Sequence, residues 1–289
     1  MPRTAHVLAL AAALCSASAT IFIRQGLRGG GPYAGFWINL VVGTVGLWAA
    51  VLLTGGIGHL SAAGVAFFVL AGLIGTVGGR LLRFVSIQQL GASISAALIN
   101  LHPLVASGLA ILLLGERVTA PIVAGAAVIV LGTILLSAGG RRLGVRPGQL
   151  AVPLLSAACF GGVAILRKLG LDHMGAVVGT AINVTAALVA FTAFLVASGN
   201  RSALACRGRS LACFIAAGVA ENTAVFLNVV ALGIGTVSAV TPLYAAAPIF
   251  VLFLSFIFLR DVETLSSRVV LGTLLIVLGV YLITALPGR

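Results

Sequence analysis

Ten apolar runs, most of them close to 20 residues long, alternate with short polar connections along this 289-residue chain. A run of that length matches a bilayer core about 30 Å thick, at about 1.5 Å of helical rise per residue. Lipid offers the backbone no hydrogen-bond partner, so long apolar runs must close their own bonds and form helices. The runs predict helices over 6–23, 33–53, 62–86, 93–114 and 121–137, and then over 150–166, 176–198, 211–232, 238–259 and 269–286. Only 8% of the residues are charged, and the mean hydropathy is +1.23. A soluble domain carries about 25% charged residues, so lipid must cover much of this surface. The expected fold class is an all-α membrane protein of about ten transmembrane helices.

The net charge of +12 does not point to nucleic acid. The basic residues fall in short groups between apolar runs, such as Arg141, Arg142 and Arg146, or Arg201, Arg207 and Arg209. That is how loops of a membrane protein are charged, and no aromatic cluster of the RNA-binding kind lies among them. Cys15, Cys159, Cys206 and Cys213 lack metal-ligand spacing and predict neither a disulfide framework nor a metal. An intramembrane enzyme needs clustered His, Asp, Glu or Cys, and one acid inside an apolar run does not supply them. No Gly-x-x-x-x-Gly-Lys-Ser/Thr loop is present, so no nucleotide is expected to drive this chain. No cofactor is expected; the partners are a small-molecule substrate and the lipid bilayer.

The chain repeats itself. Shifted by 144, Cys15 falls on Cys159, Arg24 on Lys168, Gly26-Leu27 on Gly170-Leu171 and Ile38-Asn39 on Ile182-Asn183. Shifted by 145, Ser93 falls on Ser238, Leu98 on Leu243 and Pro103 on Pro248. Shifted by 147, Glu116 falls on Glu263, Gly125 on Gly272 and Gly132 on Gly279. Chance matches are common among apolar residues, but polar, Gly and Pro coincidences in one order are not. The break between the copies is the Gly- and Arg-rich linker 139–148, giving repeats 1–144 and 145–289. Five helices per repeat make the halves enter the membrane in opposite directions, the inverted-repeat plan of many secondary transporters. The start of the chain, with Arg3, an apolar run and Ser16-Ala17-Ser18-Ala19, is similar to a cleavable signal peptide. Its repeat partner at 150–166 predicts instead that the first helix is retained.

Two copies of one motif carry a family resemblance. The first reads Ser93-Ile94-Ser95-Ala96-Ala97-Leu98 through Pro103, then Gly115-Glu116-Arg117, then Gly125 and Gly132. The second reads Thr236-Val237-Ser238-Ala239 through Pro248, then Asp261-Val262-Glu263, then Gly272 and Gly279. In this arrangement the chain resembles the drug/metabolite transporter superfamily, specifically its ten-helix EamA-type permeases. It departs from the family in helices two and seven, where an arginine often follows a proline; here Asn39 follows Pro32, and Asn183 holds the matching place. The resemblance implies a monomeric carrier of small metabolites in the bacterial inner membrane. It is commonly an exporter of amino acids working by alternating access, with a multidrug or cationic-compound efflux carrier as the alternative. The resemblance also implies cytoplasmic termini. The charge count favours the opposite orientation, with Arg3, Arg117, Arg167, Lys168 and Arg289 against the other twelve basic residues.

Of five acids, only Glu221 sits well inside an apolar run. An ionisable group at that depth costs at least about 2.5 kcal/mol and marks function by default. Glu221 is therefore a substrate ligand or a carrier of the coupling proton. Arg80 and Arg83, with Thr76, match Val225, Asn228 and Glu221 in the other half, and each triplet keeps to one helical face. The arginines either line a polar cavity or snorkel to headgroups. Asn39 and Asn183 either bind substrate or join helices. Gln88 and Tyr244 complete the substrate-site candidates, ahead of Gln89, Asn100 and His102. Pro103, Pro242 and Pro248 predict helix breaks that line the cavity or simply kink helices. The Gly125–Gly132 and Gly272–Gly279 faces predict close helix packing. Glu116, Asp261 and Glu263 fit helix caps.

Overall fold

The computed structural model describes residues 2–58, 60–102, 104–105, 108–109, 120–142, 146–199, 206–234, 243–244, 246–259 and 266–285. Most of these residues are helical, with no strand among them. In chain order the helices are α1 (Pro2–Gly26), α2 (Pro32–Leu53), α3 (Ala62–Leu90), α4 (Ala92–Ile99) and α5 (Ala120–Arg142). The second half supplies α6 (Ala151–Leu171), α7 (Ala176–Ala197), α8 (Gly208–Ile234), α9 (Ala247–Phe258) and α10 (Ser267–Ala285). Thr4–Gly26, Pro32–Leu53, Ala62–Leu90, Ala176–Ala197 and Gly208–Asn228 are each long and apolar enough to cross a bilayer. Large apolar side chains such as Leu53, Val45 and Phe253 stand exposed on the outside, as lipid-facing residues do.

Helix packing follows a two-fold exchange between the halves, and the molecule is two inverted five-helix repeats. The second helices pack together, α2 on α7, and so do the fifth, α5 on α10. The first helix of each half packs on the third of the other, α1 on α8 and α6 on α3. The fifth-helix contact is symmetric down to the atom. A Cβ on Gly132 would lie 2.8 Å from the carbonyl of Gly272, and one on Gly279 would lie 2.7 Å from the carbonyl of Gly125. Those glycines are the equivalent positions of the two repeats, and Ile276 and Ile129 fill the matching places beside them. Without Cβ atoms the two backbones reach contact, which maximises dispersion where lipid removes the hydrophobic drive. Across α2 and α7, Trp37 Nε1 donates to Thr192 Oγ1 at 3.0 Å and Trp48 Nε1 donates to Thr185 Oγ1 at 2.9 Å.

α3 differs most from the expected straight helix. It runs four residues beyond the predicted 62–86 span and ends at Gly91, whose φ of +84° only glycine adopts without strain. Its middle, Gly72–Arg80, is wound as a nine-residue π-helix. Such stretches are rare. Here four glycines let neighbours close in: a Cβ on Gly72 would strike the carbonyl of Asn183 on α7, and one on Gly79 would lie 2.9 Å from the Phe160 ring on α6. Ser156 Oγ of α6 also donates to the Gly79 carbonyl at 2.7 Å, capturing a π-turn acceptor.

Candidate functional site

The wide π-turns aim α3's polar residues at the space between the halves. Arg83, one turn past the π segment, reaches Glu221 near the middle of α8. A single terminal nitrogen, Nη1, straddles the carboxylate at 2.8 Å from Oε1 and 2.9 Å from Oε2. The other, Nη2, donates to Thr20 Oγ1 at 2.7 Å and approaches the Ser16 carbonyl at 3.5 Å, both on α1. Thr20 in turn donates to the Ser16 carbonyl at 3.0 Å. One guanidinium thus ties together α1, α3 and α8. The pair is largely shielded, with side-chain exposures of 12% for Arg83 and 9% for Glu221. Two charges withdrawn from water are tolerated here because each neutralises the other and spare donors find oxygens.

Arg80 is more deeply buried, at 6% exposure. Its described hydrogen bond is a long one, Nη1 to Asn39 Oδ1 at 3.5 Å. It feels Glu221, Arg83 and Tyr244 electrostatically. Tyr244 stands beside Ser16, within electrostatic reach of Glu221, Arg83 and Arg80. Asn183 is fully buried and accepts from Thr76 Oγ1 at 2.7 Å, while its Nδ2 has no partner. The two asparagines of α2 and α7 therefore both turn toward α3. Asn228 lies two turns after Glu221, partly buried and with no hydrogen bond among the described residues.

The structure does not gather every candidate. Gln88 is exposed near the end of α3, where its carbonyl accepts from Arg24 Nη1 at 3.2 Å. Pro248 sits in the first turn of α9, where its missing N–H leaves no bond unmade, so within the described chain it opens a helix instead of interrupting one. Pro103 and Pro242 lie outside the described residues, as do Glu116, Asp261 and Glu263. A groove of about 540 Å³ lies on α7, lined by Leu188, Val189, Thr192, Ala193, Val196 and Ala197. It opens on that helix's exposed apolar side and includes none of the charged residues, so it is not part of the polar site.

Three residues enter that sequence reading did not place here: Thr20 and Ser16, which hold Arg83, and Arg167. Thr20 and Ser16 are four apart in an alanine-rich run, a spacing that puts two hydroxyls on one face. Arg167, counted above as a loop charge, lies instead within electrostatic reach of Arg80 and Tyr244. Its sequence position, beside Lys168 near a helix end, carries no sign of this.

The EamA-like transporter family model matches residues 3–138 and again residues 147–285. No curated protein matches the chain. Among solved structures, one described only as the crystal structure of a protein superposes with a TM-score of 0.66 at 18% identity, covering 100% of both chains. At that identity the likeness speaks to fold alone.

Proposed function

Because the chain belongs to the EamA-like transporter family, and so is an integral membrane transporter of small molecules, we propose that it moves carboxylate-bearing metabolites, amino acids first among them, by alternating access. The halves, divided at residues 144/145, rock about the buried polar cluster, and the chain acts as a monomeric exporter in the bacterial inner membrane. The observation that carries this reading is the Arg83–Glu221 pair, which spans the two halves, with the buried Arg80 within electrostatic reach of Glu221. Alternating access needs a contact between halves that can break and reform, and substrate charges are the natural competitors for an ion pair. A guanidinium grips a carboxylate with charge-assisted bonds, and Glu221, once released, can meet an ammonium group or a proton. Asn39 and Tyr244 line the same space, and Asn183 offers its open Nδ2 donor. A cationic drug fits this group poorly, since Arg80 and Arg83 repel it.

The test is uptake into proteoliposomes from a panel of amino acids, other metabolites and cationic dyes. Arg80→Gln and Glu221→Gln are assayed beside the wild type, with folding checked by size-exclusion chromatography. Both variants are expected to lose most of the flux. Wild-type rates in both would move the site elsewhere.

A further inference from the structure

Thr20 takes part in two hydrogen bonds at once. Its Oγ1 donates to the Ser16 carbonyl, one turn earlier in α1, at 3.0 Å, and accepts from Arg83 Nη2 at 2.7 Å. A hydroxyl has one proton to give and two lone pairs. With the proton committed to the carbonyl, only lone pairs face the guanidinium. A helical threonine adopts this rotamer readily, because its hydroxyl can reach the carbonyl of residue i−4. The acceptor is therefore aimed by the backbone of α1 itself. Thr20 is 3% exposed, which shields the bond from water.

Arg83 thus rests in a seat with two unlike halves. Nη1 has the Glu221 carboxylate, at 2.8 Å and 2.9 Å, and Nη2 has the Thr20 hydroxyl. The halves stand on α8 and α1, which pack along one another, while Arg83 arrives from α3. They differ in what can undo them. A carboxylate can be drawn off by another cation or neutralised. The hydroxyl has no charge to lose, and its proton is already placed. The Ser16 carbonyl is no equal substitute, since it lies 3.5 Å from Nη2 and already accepts from Thr20 Oγ1.

Resting on the carboxylate-transporter reading above, we propose that Thr20 is the positioning residue of the substrate's carboxylate subsite. It holds Arg83 by Nη2 after Glu221 has let go, so Nη1 stays aimed at the place where a carboxylate arrives. An α-amino acid carries its ammonium and its carboxylate on one carbon. Entering between the pair, it gives the ammonium to Glu221 and the carboxylate to Nη1, and no charge is stranded. Without the Thr20 anchor, an Arg83 released from Glu221 swings on a long side chain. Ordering it again then opposes binding, because a rotamer-rich side chain loses entropy when it is immobilised.

The experiment has two arms, both on the purified full chain. The first is thermal unfolding in detergent of the wild type, Thr20→Val, Glu221→Gln and the double variant. Valine keeps the shape of threonine without the hydroxyl, and glutamine keeps the shape of the acid without its charge. With Glu221→Gln in place Arg83 depends more on Thr20, so Thr20→Val should lower the melting temperature more there than in the wild type. An equal loss in both backgrounds, as a packing role gives, overturns the proposal. The second arm is exchange in proteoliposomes of labelled alanine, glutamate and lysine, with KM read for each probe that the wild type moves. Thr20→Val should raise KM about tenfold, the size expected of one hydrogen bond to a charged group, and change the maximal rate less. Thr20→Ser, which restores the hydroxyl, should bring KM most of the way back. A wild-type KM in Thr20→Val, a fall in maximal rate alone, or a Thr20→Ser no better than Thr20→Val overturns the proposal. If Thr20→Val does not fold, Thr20→Ala takes its place with the same expectations. A wild type that moves none of the three probes removes the amino-acid transport reading, and the unfolding cycle alone then decides whether Thr20 holds Arg83.

Discussion

Arg83 of α3 and Glu221 of α8 are joined across the two halves by one guanidinium nitrogen, 2.8 Å and 2.9 Å from the two carboxylate oxygens. The other terminal nitrogen is anchored on Thr20 of α1 at 2.7 Å. The pair is therefore both a structural tie and an obstacle to any movement that separates α3 from α8.

Breaking a shielded pair by removing one partner strands the other charge, at a cost of about 3–5 kcal/mol. Arg83→Ala and Glu221→Ala should each lower the melting temperature in detergent clearly. The double variant should be no worse than the weaker single, because no stranded charge remains. Thermal unfolding of the four proteins, treated as a double-mutant cycle, measures this. Additive losses would mean that the two side chains do not depend on one another.

The glycines of α2, α3, α5 and α10 should divide by what stands opposite them. Gly72 faces the Asn183 carbonyl and Gly75 faces the Val163 side chain, both too close for a Cβ. Gly72→Ala should destabilise by about 1–3 kcal/mol, as overpacking does. Gly132→Ala and Gly279→Ala should cost similar amounts, because their surroundings match across the pseudo-symmetry. Gly46 lies mid-helix in α2 with open space around it, and Gly46→Ala should stabilise by about 0.4–1 kcal/mol. Thermal unfolding of the set checks the ordering; an equal cost at Gly46 and Gly72 would contradict the packing described here.

The repeat was legible because Gly, Asn and Glu recur in one order, and those residue types are not interchangeable in an apolar helix. Glu221, Arg80 and Arg83 stood out for a related reason, since an ionisable residue inside an apolar run needs an explanation. Arg167 did not stand out. A charged residue beside another at a helix end reads as a loop charge, and only the packing of α6 along α3 brings it within electrostatic reach of Arg80. Thr20 and Ser16 look like small packing residues until an arginine arrives from 63 positions away in the chain. The π segment had no local signature beyond its glycines, which serve straight helices equally well. Its form depends on neighbours in α6 and α7, and those are tertiary facts.

Cys206 precedes α8, outside the membrane-spanning helices, and its thiol is pushed up, first by burial and then by the nearby Cys213. A raised thiol pKa leaves less thiolate at neutral pH, and the thiolate is the reactive form. Maleimide labelling of Cys206, followed by peptide mapping, should therefore be slow at pH 7 and keep accelerating to a higher pH than an ordinary exposed cysteine. Cys213→Ser removes the second cause and should bring the profile part of the way back. A labelling profile identical to that of a free thiol peptide would show that neither cause operates.

Glu221 also tests what drives the cycle. A carboxylate that takes up a proton no longer holds Arg83 as an ion, so protonation is one way to untie α8 from α3. Gln has nearly the same shape as the protonated acid and keeps an oxygen for Arg83, but it cannot lose a proton. If Glu221 carries the coupling proton, Glu221→Gln behaves as though permanently protonated. It should still exchange labelled for unlabelled substrate across a proteoliposome membrane, since exchange needs no net proton movement. It should fail to accumulate substrate when a pH gradient is imposed, and its exchange rate should not vary with pH. Exchange and pH-driven accumulation are measured on the same vesicles, so loss of folding, which removes both, is told apart from loss of coupling. Gradient-driven accumulation that persists in Glu221→Gln would leave Glu221 as a tie between the halves and place the proton on another group.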